Sequence, residues 1–295
     1  MTALGIACLL AVSASLRAEP IKKQKQPYPA IVYQYIEQSD PPRKIFVANV
    51  DLTNRDVQIR VSRGGADPDG DGPYQTTLQV PTKIADRENF DLVVNGDFFG
   101  AKNTKDAEGE KSQFVKGIWA TVSGPAVTDG KLWGPAKDAR PAIIISEGNE
   151  VRIEAVKDPP KNAQQVVAGS DIILEHDKNV AKTEGAFAKT RHPRTAVGIA
   201  DGGKRLVLVV VDGRRPDRVG MQLTELADFM KSLGCTSAIN LDGGGSSEMA
   251  LRNPETGRLE VMNSPSDKRE RAVANVLGIS IKGAKRTTSQ PASKE

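Results

Sequence analysis

RLVLVVVDGRRPDRVGMQLTELADFMKSLGCTSAINLDGGGSSEM, residues 205–249, carries three elements in succession. Arg205–Val211 is a short unbroken apolar run, strand-like in length and β-branching. Leu223, Leu226, Ala227, Met230 and Leu233 then recur on one helical face, and Gly234 supplies the stop. Residues 236–241 are a second strand, so the whole stretch has β-α-β order. Outward from it, apolar runs bounded by turn residues recur as AIVYQYI (30–36), KIFVANVDL (44–52), DVQIRV (56–61), DLVVN (91–95), AIIIS (142–146) and EVRIEAV (150–156). A short helix is expected over Thr76–Asp86, although Pro81 argues against its continuity. No internal repeat is present. Many strands and few helices predict an α+β fold, a single domain with a mixed, largely antiparallel β-sheet core.

A chain of 295 residues with 38% hydrophobic and 26% charged content can bury a sizeable core and is not a disordered polymer. The net charge of +4 invites a nucleic-acid reading, so its location matters. Arg17, Lys22, Lys23 and Lys25 outweigh Glu19 at one end, and Lys282, Lys285, Arg286 and Lys294 outweigh Glu295 at the other. The body between is slightly acidic, which removes the argument for a nucleic-acid surface. Leu4–Leu16 is an apolar run too short to span a bilayer and is followed by Arg17, Ala18 and a polar segment. It predicts a signal peptide over residues 1–18, hence a periplasmic or secreted protein with no stable membrane anchor. Removal of that segment takes Cys8 with it and leaves Cys235 without an intramolecular partner. Residues 19–29 are expected to be a linker, 30–282 the domain, and 283–295 a disordered tail.

Four polar clusters stand at the ends of expected strands, where a rigid sheet presents functional groups on loops. They are Asn95-Gly96-Asp97-Phe98-Phe99, Arg191–Gly198, Val211-Asp212-Gly213-Arg214, and Asn240–Glu248. Gly243, Gly244 and Gly245 leave successive amides unshielded, so with the Ser246 and Ser247 hydroxyls they can form an anion nest. The spacing fits neither a dinucleotide loop nor a P-loop, and Glu248 replaces the last glycine of a nucleophile elbow. Asp97, Asp212 and Asp242 add carboxylates, and Arg194 and Arg214 add guanidiniums. Singly, each is most often a turn or surface residue; together they describe a site for an anionic, phosphorylated substrate. Thirteen aromatics offer few stacking platforms for a long polysaccharide. Asp67, Asp69 and Asp71, with Gly70 and Gly72, match the first half of a calcium loop, but Leu78 occupies the twelfth position in place of a glutamate. A structural calcium and a solvated acidic turn are both open there.

From about Val93 to Ile281 the chain resembles the phosphodiester glycosidase family. NGDFF, RTAVGI, VDGR, GMQLTELADFM, NLDGGGSSEM and the closing RAVAN at 271–275 appear in the family's order. The resemblance implies hydrolysis of the bond between a sugar's anomeric carbon and a phosphodiester oxygen, without a required cofactor. It does not transfer the sugar's identity; the partner would be a sugar-1-phosphodiester, here on an envelope or extracellular glycan. On this basis Arg194, Arg214 and the Gly243–Ser247 amides and hydroxyls are expected to hold the phosphodiester. Either Asp97 or Asp242 would stabilise or attack the anomeric centre, and another carboxylate, Asp212 or Glu225, would activate water. Asn95, Asn240 and Asn275 would bind sugar hydroxyls or cap the loops that shape the site. Two other classes compete: a non-catalytic binder of phosphosugar polymers, and a metal-dependent phosphodiesterase that cuts P–O.

Overall fold

The computed structural model describes residues 21–102, 104–105, 111–112, 114–134 and 136–284. The expected signal peptide and all but the first two residues of the expected tail lie outside the described residues.

The largest sheet has eight strands, in the order Ile21–Tyr28, Ile31–Ser39, Pro42–Asp51, Arg205–Val211, Arg194–Ala200, Cys235–Asn240, Asp171–Glu175 and Lys178–Asn179. The two strands of the β-α-β stretch point the same way but do not pair. Arg194–Ala200 lies between them and is antiparallel to both. Every strand pairing among the described residues is antiparallel, so the expected mixed sheet is corrected. With 46% strand and 12% helix among the described residues, the α+β class is strongly weighted to β.

Arg205–Val211 lacks polar alternation because both of its faces are covered. Val207, Val209 and Val211 pack with Leu223, Leu226, Ala227 and Met230 of helix Leu223–Ser232. Leu206, Leu208 and Val210 point into a second core on the other face. That core is shared with a five-stranded sheet ordered Leu259–Val261, Met249–Arg252, Leu92–Asn95, Asn275–Ile281 and Val57–Arg63, through Leu92, Val94, Leu277 and Ile279. Val93, Ala250 and Val276 face outward onto Ile84 and Ala85 of helix Pro81–Glu88. The layers therefore run helix, sheet, sheet, helix. Each fully buried Val or Leu contributes roughly 1.5–3 kcal/mol, and a one-residue slip would exchange the inner and outer sets, so the register is firmly fixed. A further five-stranded sheet, which includes Arg140–Ile145 and Gln165–Ala168, lends Ile143, Ile145 and Val167 to the inner core.

Residues 21–28, expected as linker, are an edge strand paired from Ile21↔Ile36 to Tyr28↔Ile31. Only Tyr28 of the strand is buried. The polar composition concealed it because an edge strand can be held by backbone pairing with little burial. The helix expected over Thr76–Asp86 begins instead at Pro81, in the first turn, where the missing N–H has no helical partner to lose. Thr76 and Thr77 form a short strand against Trp119 and Ala120. Helix Leu223–Ser232 matches its expected span. No helix among the described residues is long and apolar enough to cross a membrane.

Candidate active site

The two large sheets meet at one end of the inner core, and Asn95 joins them. Its Oδ1 accepts hydrogen bonds from Thr195 Oγ1 (2.7 Å) and the Glu248 amide (3.2 Å), while its Nδ2 donates to the Asp242 carbonyl (2.7 Å). The Asp242 amide donates to the Gly96 carbonyl (3.0 Å), and the Gly244 amide to the Pro193 carbonyl (2.9 Å). Asn275 Oδ1 accepts the Asp97 amide (2.8 Å). Three of the four sequence clusters, those of Asp97, Arg194 and Asp242, thus converge through direct bonds. The fourth arrives through Arg214, which lies on the glycine loop.

Asp97 and Asp242 are perturbed carboxylates at this seam. Asp97 is 2% exposed. Burial pushes its pKa up to about 7, against the pull of the Gly124 amide and Arg140, and the Asp242 charge adds to the rise. Its Oδ2 accepts the Gly124 amide (2.8 Å), whereas its buried Oδ1 has no hydrogen-bond partner among the described residues. Asp242 retains some exposed surface, yet burial of its carboxylate raises it to about 6, opposed by Ser246, the Gly243 amide, Arg271 and Arg214. Two carboxylates that burial raises toward neutrality suit acid/base chemistry.

The glycines do not form the expected amide nest. Gly244–Ser246 is a single 3₁₀ turn, and the amides of Gly243, Gly244, Ser246 and Ser247 are spent on Asp242 Oδ1 and on the carbonyls of Pro193, Gly243 and Gly244. What the missing side chains allow is the approach of two guanidiniums. A Cβ on Gly244, which has φ +63°, would sit 2.8 Å from Arg214 Nη2, and one on Gly245 would sit 2.1 Å from Arg271 Nη2. Arg271 is steadied by Asp267 (2.8 Å) and by the Phe114 ring (4.5 Å). Arg214 is exposed, has a left-handed φ of 62°, and makes no hydrogen bond or ion pair with the described residues. A non-glycine residue held in that conformation is a strained one, as functional sites often contain. The anion-binding character of the loop therefore comes from Arg214 and Arg271. The buried Ser247 hydroxyl, Asn240 Oδ1 and Asn275 Nδ2 meet no partner in hydrogen-bond geometry among the described residues. Such groups cluster where a ligand is bound.

Other expected site residues have different tasks. Arg194 is fully buried, and its guanidinium donates to the carbonyls of Met221 (3.0 Å), Phe187 (2.6 Å) and Thr190 (3.1 Å), with Nη1 left unpartnered. It braces loop backbone and leaves a ligand at most the two N–H groups of Nη1. Asp212, raised by burial, receives Asn263 Nδ2, the Ser264 amide and Arg218 Nη1, all at 3.1 Å, and holds the 263–264 turn. Asn240 Nδ2 donates to Ser170 Oγ (2.9 Å). Glu225 lies apart from the seam. Its carboxylate caps its own helix at the Gln222 amide (3.0 Å) and pairs with Arg43 (2.5 Å) and Arg191 (2.7 Å). Burial raises the Glu225 pKa, but Arg191, the Gln222 amide and Arg43 together hold it below the ordinary range. Glu225→Gln should keep kcat/KM within about twofold while costing roughly 1 kcal/mol of stability through the weakened cap. Steady-state kinetics and urea melts would measure both, and a tenfold loss of turnover would return Glu225 to the site.

Asp67, Asp69 and Asp71 do not converge on a cation position. Asp67 Oδ1 accepts the Asp69 (3.2 Å) and Gly70 (2.9 Å) amides, and Asp69 Oδ2 accepts the Tyr74 amide (3.4 Å). Among the described residues no three His, Cys, Asp or Glu side chains are grouped to hold a metal.

Three residues beside the seam were absent from the expected set. Arg271 was visible in sequence only as part of a motif. His192 is held below its ordinary pKa by burial and by Arg194 and Arg214, and its buried Nδ1 has no hydrogen-bond partner among the described residues. Glu248 is 1% exposed, and burial together with Glu270 raises its pKa well above the usual range.

A profile of the phosphodiester glycosidase family matches residues 88–280. Over 65 residues, 22% of this chain, the sequence is 42% identical to mouse N-acetylglucosamine-1-phosphodiester alpha-N-acetylglucosaminidase. It is 38% identical over 98 residues, 33% of this chain, to the SPbeta prophage-derived uncharacterized protein YomE of Bacillus subtilis (strain 168). These alignments span only 12% and 14% of the relatives' lengths. Among solved structures, the zebrafish N-acetylglucosamine-1-phosphodiester alpha-N-acetylglucosaminidase catalytic domain, auto-inhibited by its pro-peptide, superposes with a TM-score of 0.62 at 20% identity. That match covers 89% of this chain and 87% of that one. A hypothetical protein from Synechocystis gives 0.59 at 13% identity, over 90% of this chain and 64% of that one. These last two likenesses are of fold.

Proposed function

The chain belongs to the phosphodiester glycosidase family, and on that premise we propose that it hydrolyses the C–O bond of a sugar-1-phosphodiester to free sugar and phosphomonoester. The observation that carries this reading is the pairing of Asp97 and Asp242, poised near neutrality, with Arg214 and Arg271 laid on the adjoining glycine loop. In the proposed reaction water adds to the anomeric carbon as the C–O bond to phosphate breaks, the electron pair leaves with the phosphomonoester, and Asp97 Oδ1 takes the proton from water. Asp242, ionised at pH 7, stabilises positive charge at the anomeric carbon. Arg214 and Arg271 stabilise the departing anion, which as a weak base needs charge neutralisation more than protonation. Asp212 and Glu225, with their oxygens occupied, are left out of the step. The apolar run at 4–16 supports a further proposal, that this chemistry takes place outside the cytoplasm on an envelope or extracellular glycan.

Turnover of a panel of hexose-1-phosphodiesters in ¹⁸O-labelled water tests the reading. The label is expected in the reducing sugar and not in the phosphomonoester. Label in phosphate would instead mean P–O cleavage, and binding of the panel without release of reducing sugar would mean a non-catalytic binder.

A further inference from the structure

We propose that Phe187 and Phe98 form the wall against which the sugar ring of the substrate stacks, and so set the requirement for a pyranose with an apolar face. This inference rests on the glycosidase reading and assigns the two ends of the site.

Phe187 belongs to the short helix Ala186–Lys189, outside every sequence cluster singled out for chemistry. Its side chain is one of four large hydrophobics exposed among the described residues, at 40%. It is not loosely placed. The ring lies 4.6 Å over the Arg194 guanidinium and meets Phe98 edge to face, with centroids 5.9 Å apart at 70°. Its carbonyl accepts Arg194 Nη2, and Arg194 also grips Thr190 and Met221. A buried arginine thus fixes an exposed phenylalanine, which reduces the ordering cost of binding against it. Phe98 directly follows Asp97 and is tied through its carbonyl to the Ser123 amide (2.9 Å). The ring pair therefore bridges the two sheets beside the carboxylate that carries the free Oδ1.

The glycine loop gives this wall its direction. Gly243 abuts Pro193 and Arg194, Gly244 abuts Arg214, and Gly245 abuts Arg271. Arg194, whose backbone Gly243 meets, carries the aromatic pair against its guanidinium, and the exposed Arg214 guanidinium lies against Gly244. A sugar-1-phosphodiester has the same polarity, with C–H groups on a ring face at one end and a delocalised anion at the other. Aromatic faces suit the first and arginines the second. The substrate accordingly lies with its sugar on Phe98 and Phe187, its anomeric carbon by Asp97 and its phosphate toward Arg214.

Equilibrium binding of free hexopyranoses (glucose, galactose, mannose and N-acetylglucosamine) and of inorganic phosphate to the full chain tests this without requiring turnover. Phe187→Ala and Phe187→Leu should each weaken the best-bound sugar about tenfold and leave phosphate binding within twofold. Phe187→Tyr, which retains the ring, should bind sugar as the wild type does. The leucine variant keeps apolar cover on Arg194, so a loss there separates stacking from support of the loop. Equal sugar binding by wild type and Phe187→Leu, equal losses for sugar and phosphate, or no sugar binding by the wild type would overturn the proposal. Failure of the wild type to cleave any sugar-1-phosphodiester would count against the glycosidase reading instead, and the binding data would still decide the wall.

Discussion

Asp97→Asn is expected to lower kcat/KM for a sugar-1-phosphodiester by about 10³-fold and, at the same time, to stabilise the protein above neutral pH. The rate loss follows from removing the proton acceptor, whose contribution in such chemistry is typically 10²–10⁴-fold. The gain in stability follows from linkage. Asp97 has a folded pKa of about 7, above the ordinary unfolded value near 4. Below about pH 4 both states are protonated. Between pH 4 and 7 the unfolded chain ionises while the folded carboxyl keeps its proton, so stability falls as pH rises, and above pH 7 the deficit is complete. A raised pKa of this size corresponds to a penalty on the order of 3–4 kcal/mol at pH 8. Asparagine has no charge to bury and can still accept the Gly124 amide. Urea melts at pH 4 and pH 8 should therefore show similar stability for the two proteins at the lower pH and a more stable variant at the higher one. A variant that is inactive and also less stable at pH 8 would mark Asp97 as a structural group.

Asn95→Ala should produce the largest loss of stability among the site residues, about 3–5 kcal/mol, together with loss of turnover. The substitution leaves Thr195 Oγ1, the Glu248 amide and the Asp242 carbonyl without their partner at a fully buried position. Each orphaned group costs roughly 1–3 kcal/mol. Because the Asp242 backbone is one of the three, the carboxylate shifts as the seam loosens. Denaturant melts and kinetics on the same preparation measure both effects. A cost below about 1 kcal/mol would mean that the two sheets are held at this end by something else.

The sequence disclosed those parts of the molecule that leave a local trace. Arg205–Val211 and Leu223–Ser232 were legible because one is an unbroken branched apolar run and the other keeps helical spacing before a glycine. Asp97 and Asp242 were legible because each follows a buried strand. The edge strand Ile21–Tyr28 left no hydrophobic signal, since its stabilisation comes from backbone pairing. The intervening place of Arg194–Ala200 is a matter of topology, which hydrophobic period does not encode. Within the site, residue type alone could not separate Asp212 and Glu225, whose oxygens are taken by neighbours, from Asp97, which keeps one oxygen free. The glycines were read as an amide nest for an anion, whereas in the fold their missing side chains make room for close approach. What approaches, two arginines from distant segments, required the fold.

Strand Ile21–Tyr28 also has a colloidal consequence. It is the open margin of the eight-stranded sheet and carries Lys22, Lys23 and Lys25, all exposed. A second molecule adding its own margin there would bring two lysine-bearing strands to within about 5 Å of each other. Margins so charged resist edge-to-edge polymerisation. The positive charge at this end thus favours keeping copies of the chain apart at high local concentration.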